Sequence, residues 1–317
     1  MRAAVINKAG SAPVCAEFPE PAPHPGQALT RLVGAGLHQV VRSIASGAHY
    51  GAAGIYPLVP GVDAVARAED GRLVYTGWPR APWGTFAELL ATPVALELPG
   101  RADPLAVAAG VNPGMSGWLP LSARRAEVGM LGTVLVLGAT GVSGGMAIQS
   151  AFALGAQRVI GAGRDGAALQ RVAALGATPV SLAGGDPVES LSEALGQDTP
   201  TLVLDYVWGA VAEATFTALG RRGLDDDTAD ISYVQIGALG GPAATLPASL
   251  LRSRRIRVSG SGAGSATTER ILAEIPRIMQ LIADGTLEVP YTAYPLNAID
   301  RAWAHTGPGR AVVVPIT

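Results

Sequence analysis

The sequence predicts an α/β protein with two domains, one rich in β-strands and one built around a doubly wound parallel sheet. Its 317 residues exceed what a single hydrophobic core usually supports. Strand-type runs separated by Gly and Pro fill the chain to about residue 110, whereas apolar strands alternate with helical segments from about residue 114. A glycine-rich turn between a strand and a helix, at residues 138–144, opens the second pattern.

The N-terminal part is predicted to hold short strands whose spacing is typical of a small barrel or sandwich. Asp70 and Gly71 lie between two of these runs and are a hairpin signal. The runs are residues 3–6, 27–34, 62–68, 72–76 and 86–90.

Six apolar strands with intervening helices follow, the number found in a complete doubly wound dinucleotide-binding domain. A longer amphipathic helix at 267–282, which Pro276 is expected to kink or split, precedes two strands that are expected to return to the first domain. We therefore assign residues 1–113 and 261–317 to one domain and 114–260 to the other. The six strands are residues 133–137, 158–162, 179–182, 201–206, 232–237 and 255–259.

The glycine-rich turn fits the fingerprint of a dinucleotide site. Gly138, Gly141 and Gly144 follow the strand at 133–137 and precede a predicted helix at 142–154. Such a turn brings bare backbone N–H groups and a helix N-terminus to a pyrophosphate. An ordinary strand-to-helix turn is the alternative, but the flanking segments favour nucleotide binding. The predicted contacts are Gly138, Ala139, Thr140, Gly141 and Val142.

The end of the second strand favours NADPH over NADH. NAD-binding domains usually place Asp or Glu about 20 residues after the glycines, where it binds the ribose hydroxyls. Gly163 stands there in this chain, and Arg164 follows it and could pair with a 2′-phosphate. Arg164 could instead be a surface cation. Asp165 could be the N-cap of the next helix, or it could point at the ribose and restore NADH as an option.

Composition excludes several classes of protein. Charged residues make up 15% of the chain and the net charge is −2, so no nucleic-acid footprint is visible. No apolar run reaches the ~18 residues of a membrane span, and the start of the chain has no signal-peptide pattern, so a cytoplasmic enzyme is expected. The single cysteine, Cys15, cannot form an intrachain disulfide. The charged segment at 221–230 is expected to be a solvated loop.

Several stretches together resemble the medium-chain dehydrogenase/reductase superfamily, over nearly the whole chain. Residues 58–63 (Leu-Val-Pro-Gly-Val-Asp) look like the turn of its catalytic domain, and 83–88 (Trp-Gly-Thr-Phe-Ala-Glu) are similar to one of its strands. Residues 112–118 resemble the helix before the cofactor domain, and 249–260 resemble the last cofactor-domain strand. The resemblance implies a GroES-like β-barrel catalytic domain beside a Rossmann domain.

Within that superfamily the chain looks like the zinc-independent, quinone oxidoreductase-like branch. A catalytic zinc needs Cys and His ligands, and a structural zinc needs four closely spaced cysteines, but this chain has one Cys and four dispersed His. The resemblance therefore implies no metal, and hydride transfer from NADPH, in a closed interdomain cleft, to a small-molecule acceptor, a quinone or an α,β-unsaturated carbonyl.

Two residues are predicted to act near the nicotinamide. By resemblance the turn at residues 36–39 lines that site, and His38 stands where many relatives have Asn. His38 could bind the cofactor or acceptor or protonate the product, and a structural histidine is the alternative. Tyr50 and Tyr56 lie in a Gly-rich loop and could stack on a flat acceptor, and Tyr50 is the better candidate proton donor. The alternative is loop packing, which is favoured for Tyr56. Trp208 either walls the adenine or packs in the core.

The remaining predicted cofactor contacts lie at strand ends, which open on the cofactor crevice of such sheets. By resemblance they line the nicotinamide, and a basic residue at the final strand can reach the cofactor phosphates, although a surface charge is equally consistent. The residues are Gly237, Ala238 and Leu239 after the fifth strand, Gly260 and Ser261 after the sixth, and Arg310.

Two other functions stay open. An enoyl-thioester reductase would need a basic surface for a carrier phosphate, and the arginines at 252, 254, 255 and 257 could form one or could simply flank a strand. A non-catalytic NADPH sensor is the rival of a different class. By resemblance the sixth strand is also expected to pair with its mate in a homodimer, because an apolar strand edge is otherwise a liability.

Overall fold

The computed structural model describes residues 1–221 and 227–316, which form two compact units. One unit comprises Met1–Pro113 and Ile275–Thr317, and the other comprises Gly114–Glu274. Residues 261–274 thus fall in the second unit, whereas the sequence predicted that this domain ends at residue 260. The side chain of Glu274 accepts a hydrogen bond of 2.7 Å from Nε1 of Trp118, which ties the end of this segment to the second unit.

The first unit is mainly antiparallel β-structure. Gly71 lies in the turn between two paired strands, and the N–H of Arg72 donates to Oδ1 of Asp70 at 3.1 Å, which confirms the predicted hairpin. The elements to residue 128 are β1 (Arg2–Val5), β2 (Val14–Glu17), β3 (Ala28–Gly36), α1 (Gln39–Ala45), β4 (Asp63–Arg67), β5 (Leu73–Gly77), β6 (Leu89–Thr92), β7 (Leu96–Glu97) and α2 (Pro104–Val128).

The second unit is a Rossmann-type domain with a six-stranded parallel sheet. Its first strand, β8 (Thr133–Leu137), is fully buried, as expected for a strand covered on both faces. The later elements are α3 (Val142–Ala153), β9 (Arg158–Gly163), α4 (Gly166–Ala174), β10 (Thr178–Ser181), α5 (Pro187–Leu195), β11 (Leu202–Asp205), α6 (Gly209–Ala218), β12 (Ile231–Gln235), α7 (Ala248–Ser253), β13 (Ile256–Gly260) and α8 (Thr268–Ala283).

The strand order of this sheet is β10-β9-β8-β11-β12-β13, which is the doubly wound order 3-2-1-4-5-6. All five neighbouring pairs are parallel. The order reverses between β8 and β11, so the loops after these two strands face each other across the switch point. This confirms the predicted α/β class and places the glycine turn where such folds bind ligands.

The end of the chain returns to the first unit. It contains β14 (Tyr291–Pro295), a 3₁₀ turn (Leu296–Ala298), α9 (Ile299–Trp303) and β15 (Arg310–Val314). β15 pairs with β3, which extends the sheet to the order β14-β15-β3-β4-β5-β7, with β6 also on β3. A separate hairpin joins β1 and β2. Among the described residues no strand pairing closes this sheet into a ring. The hairpin is connected to other segments by isolated bridges such as Ala3 to Ala87 and by hydrogen bonds such as that from the N–H of Ala4 to the carbonyl oxygen of Phe86.

The structure also bears on the expectations for Pro276, for Trp208 and for membrane-spanning segments. α8 continues through Pro276 as one helix. Trp208 packs edge-on against Phe216 and Tyr233, with ring centroids 6.0 and 6.3 Å apart, which is the core alternative. Within residues 1–221 and 227–316, every helix is too short or too polar to cross a membrane.

Parts of the charged segment and of the arginine cluster pair with each other. Asp225 and Asp226 lie outside the described residues. Asp227 forms ion pairs with Arg254 at 3.1 Å and with Arg221 at 3.8 Å. Arg257 on β13 pairs with Glu127 on α2 at 2.6 Å. Arg254 and Arg257 therefore bind neighbouring carboxylates beside the strand.

Candidate functional site

The glycine turn after β8 is packed tightly against the start of α3. Gly138 has a φ of +84°, and the N–H groups of Gly138 and Ala139 both donate to the carbonyl oxygen of Ala162 at 3.0 Å. A Cβ at Gly144 would lie 2.3 Å from the carbonyl oxygen of Gly138 and 2.6 Å from Cα of Ala139. Only glycine at 144 allows the helix to approach the turn this closely.

The N-terminus of α3 has the arrangement that binds phosphate groups. Its N-cap is Gly141, which has no side chain and so supplies no capping acceptor. The first intrahelical bond runs from the N–H of Gly145 to the carbonyl oxygen of Gly141 at 2.9 Å. The N–H groups of the first turn, beginning at Val142, have no acceptor within the helix, and the helix dipole favours an anion there.

The end of β9 has no carboxylate at position 163. A Cβ at Gly163 would lie 2.4 Å from Cγ2 of Thr140, so the two segments touch at this point. Asp165 accepts a hydrogen bond from the N–H of Ala168 at 3.0 Å and is the N-cap of α4, one of the roles considered from the sequence. Arg164 is exposed, and within the described part of the chain it forms neither a hydrogen bond nor an ion pair.

Asp205, at the end of β11, organises the loop that faces the glycine turn. Its Oδ1 accepts hydrogen bonds from the N–H groups of Val207 and Trp208, both at 2.8 Å, and its Oδ2 accepts one from the hydroxyl of Tyr233 at 2.5 Å. Burial raises the pKa of Asp205, and these hydrogen bonds oppose the rise. A Cβ at Gly138 would lie 3.0 Å from Cγ2 of Val207, so this loop borders the turn.

The other predicted strand-end residues lie at the same edge of the sheet. The N–H of Gly237 donates to the carbonyl oxygen of Asp205 at 3.1 Å, and Ala238 and Leu239 lie beyond it, Leu239 being exposed. Gly260 is the last residue of β13, and the N–H of Ser261 donates to the carbonyl oxygen of Gln235 at 2.8 Å. The structure therefore groups them with the glycine turn along the carboxyl ends of the parallel strands.

The first unit contains a buried polar cluster around His38. Nε2 of His38 lies 3.1 Å from Oδ1 of Asp63, and both side chains are almost fully buried. Oδ2 of Asp63 accepts a hydrogen bond from the hydroxyl of Tyr75 at 2.7 Å. Arg310, at the start of β15, donates to the carbonyl oxygen of Leu37 at 3.3 Å.

Burial dominates the electrostatics of this cluster. It lowers the pKa of His38, although the carboxylate of Asp63 acts in the opposite direction and Arg310 adds to the lowering. Burial also lowers the pKa of Arg310 to about 10. His38 is therefore a neutral imidazole at neutral pH, suited to forming hydrogen bonds rather than to donating a proton as imidazolium.

The lowered pKa of His38 predicts an acid-sensitive fold. In the unfolded chain the imidazole of His38 is protonated below about pH 6.5, whereas burial in the folded chain disfavours its protonation. The contribution of neutral His38 to the free energy of unfolding is therefore full above that pH and falls as the pH drops below it. As the pH falls from about 6.5 to about 5.5 the wild type should therefore lose more unfolding free energy than His38→Asn. Urea unfolding at several pH values measures this difference. The exposed His24→Asn is the matched control, and equal pH profiles for wild type and His38→Asn would contradict the prediction.

The two loop tyrosines differ in environment. Tyr50 is 75% exposed, and its ring lies 4.0 Å from that of His49. The hydroxyl of Tyr56 donates to the carbonyl oxygen of Ala45 at 2.9 Å, which confirms its role in loop packing. The phenol of Tyr50 is thus available to a ligand, whereas that of Tyr56 is engaged.

The described residues do not offer a metal centre. No three side chains of the types His, Cys, Asp and Glu come together within residues 1–221 and 227–316. His38 and Asp63 form a pair without a third donor, and Cys15 contacts Arg2 instead, with 3.3 Å between Sγ and the guanidinium. This donor set does not fit a zinc site, which needs at least three such side chains.

The structure thus assembles two groups of predicted residues, one in each unit. Residues at the glycine turn and the strand ends share the second unit, whereas His38, Tyr50 and Arg310 belong to the first. Sequence reasoning missed Asp63 and Asp205 as partners. Asp63 ends the turn quoted at residues 58–63, and Asp205 ends the apolar run of β11. A carboxylate at each of these positions was the signal that could have indicated a buried hydrogen-bond acceptor.

Comparison with known proteins agrees with this architecture. Residues 143–284 match the zinc-binding dehydrogenase family. The chain is 30% identical to a protein of Emericella nidulans named "Probable NADPH-dependent quinone reductase tdiC", over 99% of this chain and 100% of that protein.

Solved structures show the same fold over the whole chain. The quinone oxidoreductase of Thermus thermophilus, solved also as a complex with NADPH, is 26% identical, with a TM-score of 0.80 over 99% of this chain and 100% of that one. The quinone oxidoreductase of Pseudomonas syringae is 21% identical and supports the fold alone, with a TM-score of 0.83 over 99% of each chain.

The glycine turn, the 3-2-1-4-5-6 sheet and the full-length likeness to a curated relative lead to one assignment. The chain belongs to the medium-chain dehydrogenase/reductase superfamily of oxidoreductases, in its quinone oxidoreductase-like branch.

Proposed function

We propose that this protein is an NADPH-dependent oxidoreductase that reduces quinones or α,β-unsaturated carbonyl compounds without a metal. The observation that carries the proposal is the bare-backbone turn at 138–144 beside a β9 end that has Gly163 and an exposed Arg164 in place of a carboxylate. The relatives named for NADPH-dependent quinone reduction support the same cofactor and acceptor class.

The proposed cofactor contacts follow from the second unit's geometry. The first-turn N–H groups of α3 would bind the diphosphate, and Arg164 would pair with the 2′-phosphate of the adenosine ribose. The loops after β12 and β13, at residues 237–239 and 260–261, would line the nicotinamide, with backbone groups of these loops holding its carboxamide. When bound, the cofactor supplies a hydride from C4 of its nicotinamide.

The acceptor class explains why the residues can act without a Lewis acid. Conjugation in a quinone or an enone delocalises the negative charge that develops as hydride arrives. What the chain must add is hydrogen bonding and a proton. We propose that neutral His38 contributes hydrogen bonding and that Tyr50 or solvent supplies the proton, because Tyr50 is exposed and its hydroxyl is a donor.

Removing the Arg164 charge tests the cofactor choice. Arg164→Gln should raise the Kd for NADPH about tenfold to a hundredfold, because a charge-assisted contact to phosphate is lost. The Kd for NADH should change less than about twofold, since NADH lacks that phosphate. Titration by nucleotide fluorescence measures both. Arg171→Gln, an exposed arginine on the helix that follows, is the control, and equal losses for the two nucleotides in Arg164→Gln would count against the proposal.

Turnover distinguishes the proposed activity from its rivals. Stopped-flow measurement of NADPH oxidation should show rapid oxidation with some members of a quinone and enone panel. Oxidation confined to an enoyl thioester would favour the thioester reductase instead. Nucleotide binding with no oxidation in any arm would favour a sensor and contradict the enzymatic proposal.

We also propose a homodimer through β13. This strand ends the sheet order, and its one assigned partner among the described strands is β12. Pairing of β13 with its mate would cover that edge, including the half-buried Val258. Light scattering should give twice the monomer mass, and a monomer at working concentration would contradict this arrangement.

A further inference from the structure

The side chain of Thr140 covers the backbone of Gly163. Gly163 is the buried last residue of β9, and a Cβ built there would lie 2.4 Å from Cγ2, 2.9 Å from Oγ1 and 3.2 Å from Cβ of Thr140. Carbon atoms in contact normally lie about 3.5–4.0 Å apart. Every side chain larger than hydrogen at position 163 therefore collides with Thr140.

Rotation of Thr140 cannot remove the collision. Its two γ atoms occupy two of the three staggered positions on Cβ, and both of these positions face Gly163. In any other rotamer of Thr140 the single hydrogen on Cβ occupies one of the two positions that face Gly163. The other facing position then still holds Oγ1 or Cγ2. Serine differs, because its single γ atom can take the third position and leave both facing positions to hydrogen. Valine cannot do this, because like threonine it carries two γ heavy atoms on Cβ.

The backbone around Thr140 is also held in place. The N–H groups of Gly138 and Ala139 both donate to the carbonyl oxygen of Ala162, the residue before Gly163. Ala139 is buried, and its backbone is packed against Gly144 at the start of α3. Moving the turn away from β9 would therefore break two hydrogen bonds and disturb the same turn that is proposed to bind the diphosphate.

Position 163 is where nicotinamide-binding domains that prefer NAD carry their ribose-binding carboxylate. We propose that Thr140 is a specificity-determining residue that sterically excludes a carboxylate from position 163. Thr140 and Gly163 together then determine the preference for NADPH over NADH. Substitution of residue 163 alone cannot change that preference to NADH. This inference rests on the proposed NADPH-dependent function and adds the residue that maintains its selectivity.

The steric part is tested without any nucleotide. Gly163→Ala is introduced into the wild type and into Thr140→Val and Thr140→Ser backgrounds, and thermal unfolding is followed. The alanine should lower Tm by several degrees in the Thr and Val backgrounds and by less than half as much in the Ser background. An equal fall in all three backgrounds would overturn the steric exclusion.

The specificity part is tested by nucleotide titration of Gly163→Asp variants. Gly163→Asp alone should weaken both NADPH and NADH at least about tenfold, because the turn is displaced. Adding Thr140→Ser should restore NADH affinity at least about tenfold, whereas adding Thr140→Val should restore none. NADH binding by Gly163→Asp as tight as that of the Thr140→Ser double variant would overturn the proposal. Tighter binding of NADH than of NADPH by the wild type would instead contradict the proposed cofactor. The unfolding measurements, which use no nucleotide, would still test whether Thr140 excludes a side chain at position 163.

Discussion

Gly144→Ala is expected to weaken nucleotide binding strongly and to destabilise the second unit. The new Cβ would lie 2.3 Å from the carbonyl oxygen of Gly138 and 2.6 Å from Cα of Ala139. These are backbone atoms, which cannot rotate away, so the helix and the turn must separate. Overpacking of this kind costs about 1–3 kcal/mol. The Kd for NADPH should rise at least about a hundredfold, because the first-turn N–H groups no longer converge on the diphosphate.

Gly145→Ala is the matched control for this prediction. It lies in the same helix one residue later, and a Cβ there meets nothing within 4 Å. Alanine in a helix interior is favoured over glycine by about 0.5–1 kcal/mol, so this variant should be as stable as the wild type or slightly more stable. Calorimetric titration and urea unfolding of both variants provide the comparison. Wild-type NADPH affinity in Gly144→Ala would show that the close approach is not required.

Asp205→Ala is expected to cause a large loss of stability in the second unit. The substitution removes the acceptor for two loop N–H groups and for the hydroxyl of Tyr233, and Asp205 is fully buried. Each donor left buried without a partner costs about 1–3 kcal/mol, so the unfolding free energy should fall by about 3–5 kcal/mol. The loop of Val207 and Trp208, which borders the glycine turn, should lose its fixed conformation as well.

Asp205→Asn separates the hydrogen bonds from the charge. Its amide oxygen still accepts from both loop N–H groups, and its NH₂ can donate to the hydroxyl of Tyr233. Urea unfolding of this variant should show a loss below about 1.5 kcal/mol. If Asp205→Ala is no less stable than Asp205→Asn, the carboxylate is not the organising group of that loop.

The second unit could be predicted well because its signals are local in sequence. The observed β8 has the predicted bounds, and the turn and α3 follow it directly. Apolar, β-branched runs identify buried parallel strands, and glycine spacing identifies a turn that needs close backbone approach. Asp165 was also predictable as one of two alternatives, because an N-cap is decided within three residues of the helix start.

The buried polar partners could not be predicted, because topology rather than sequence proximity joins them. Asp63 on β4 meets His38, which directly precedes α1, and Asp205 meets Tyr233 across 28 positions of the chain. The contact of Thr140 with Gly163 likewise depends on the parallel pairing of β8 with β9. Periodicity reports which face of an element is buried, but it does not report which side chain of another strand will lie opposite.

The most direct test of the account is calorimetric titration of the wild-type protein with NADPH and with NADH. The glycine turn, Gly163 and Arg164 predict one NADPH per chain, bound at least about tenfold more tightly than NADH. No measurable heat with either nucleotide, or tighter binding of NADH, would contradict it.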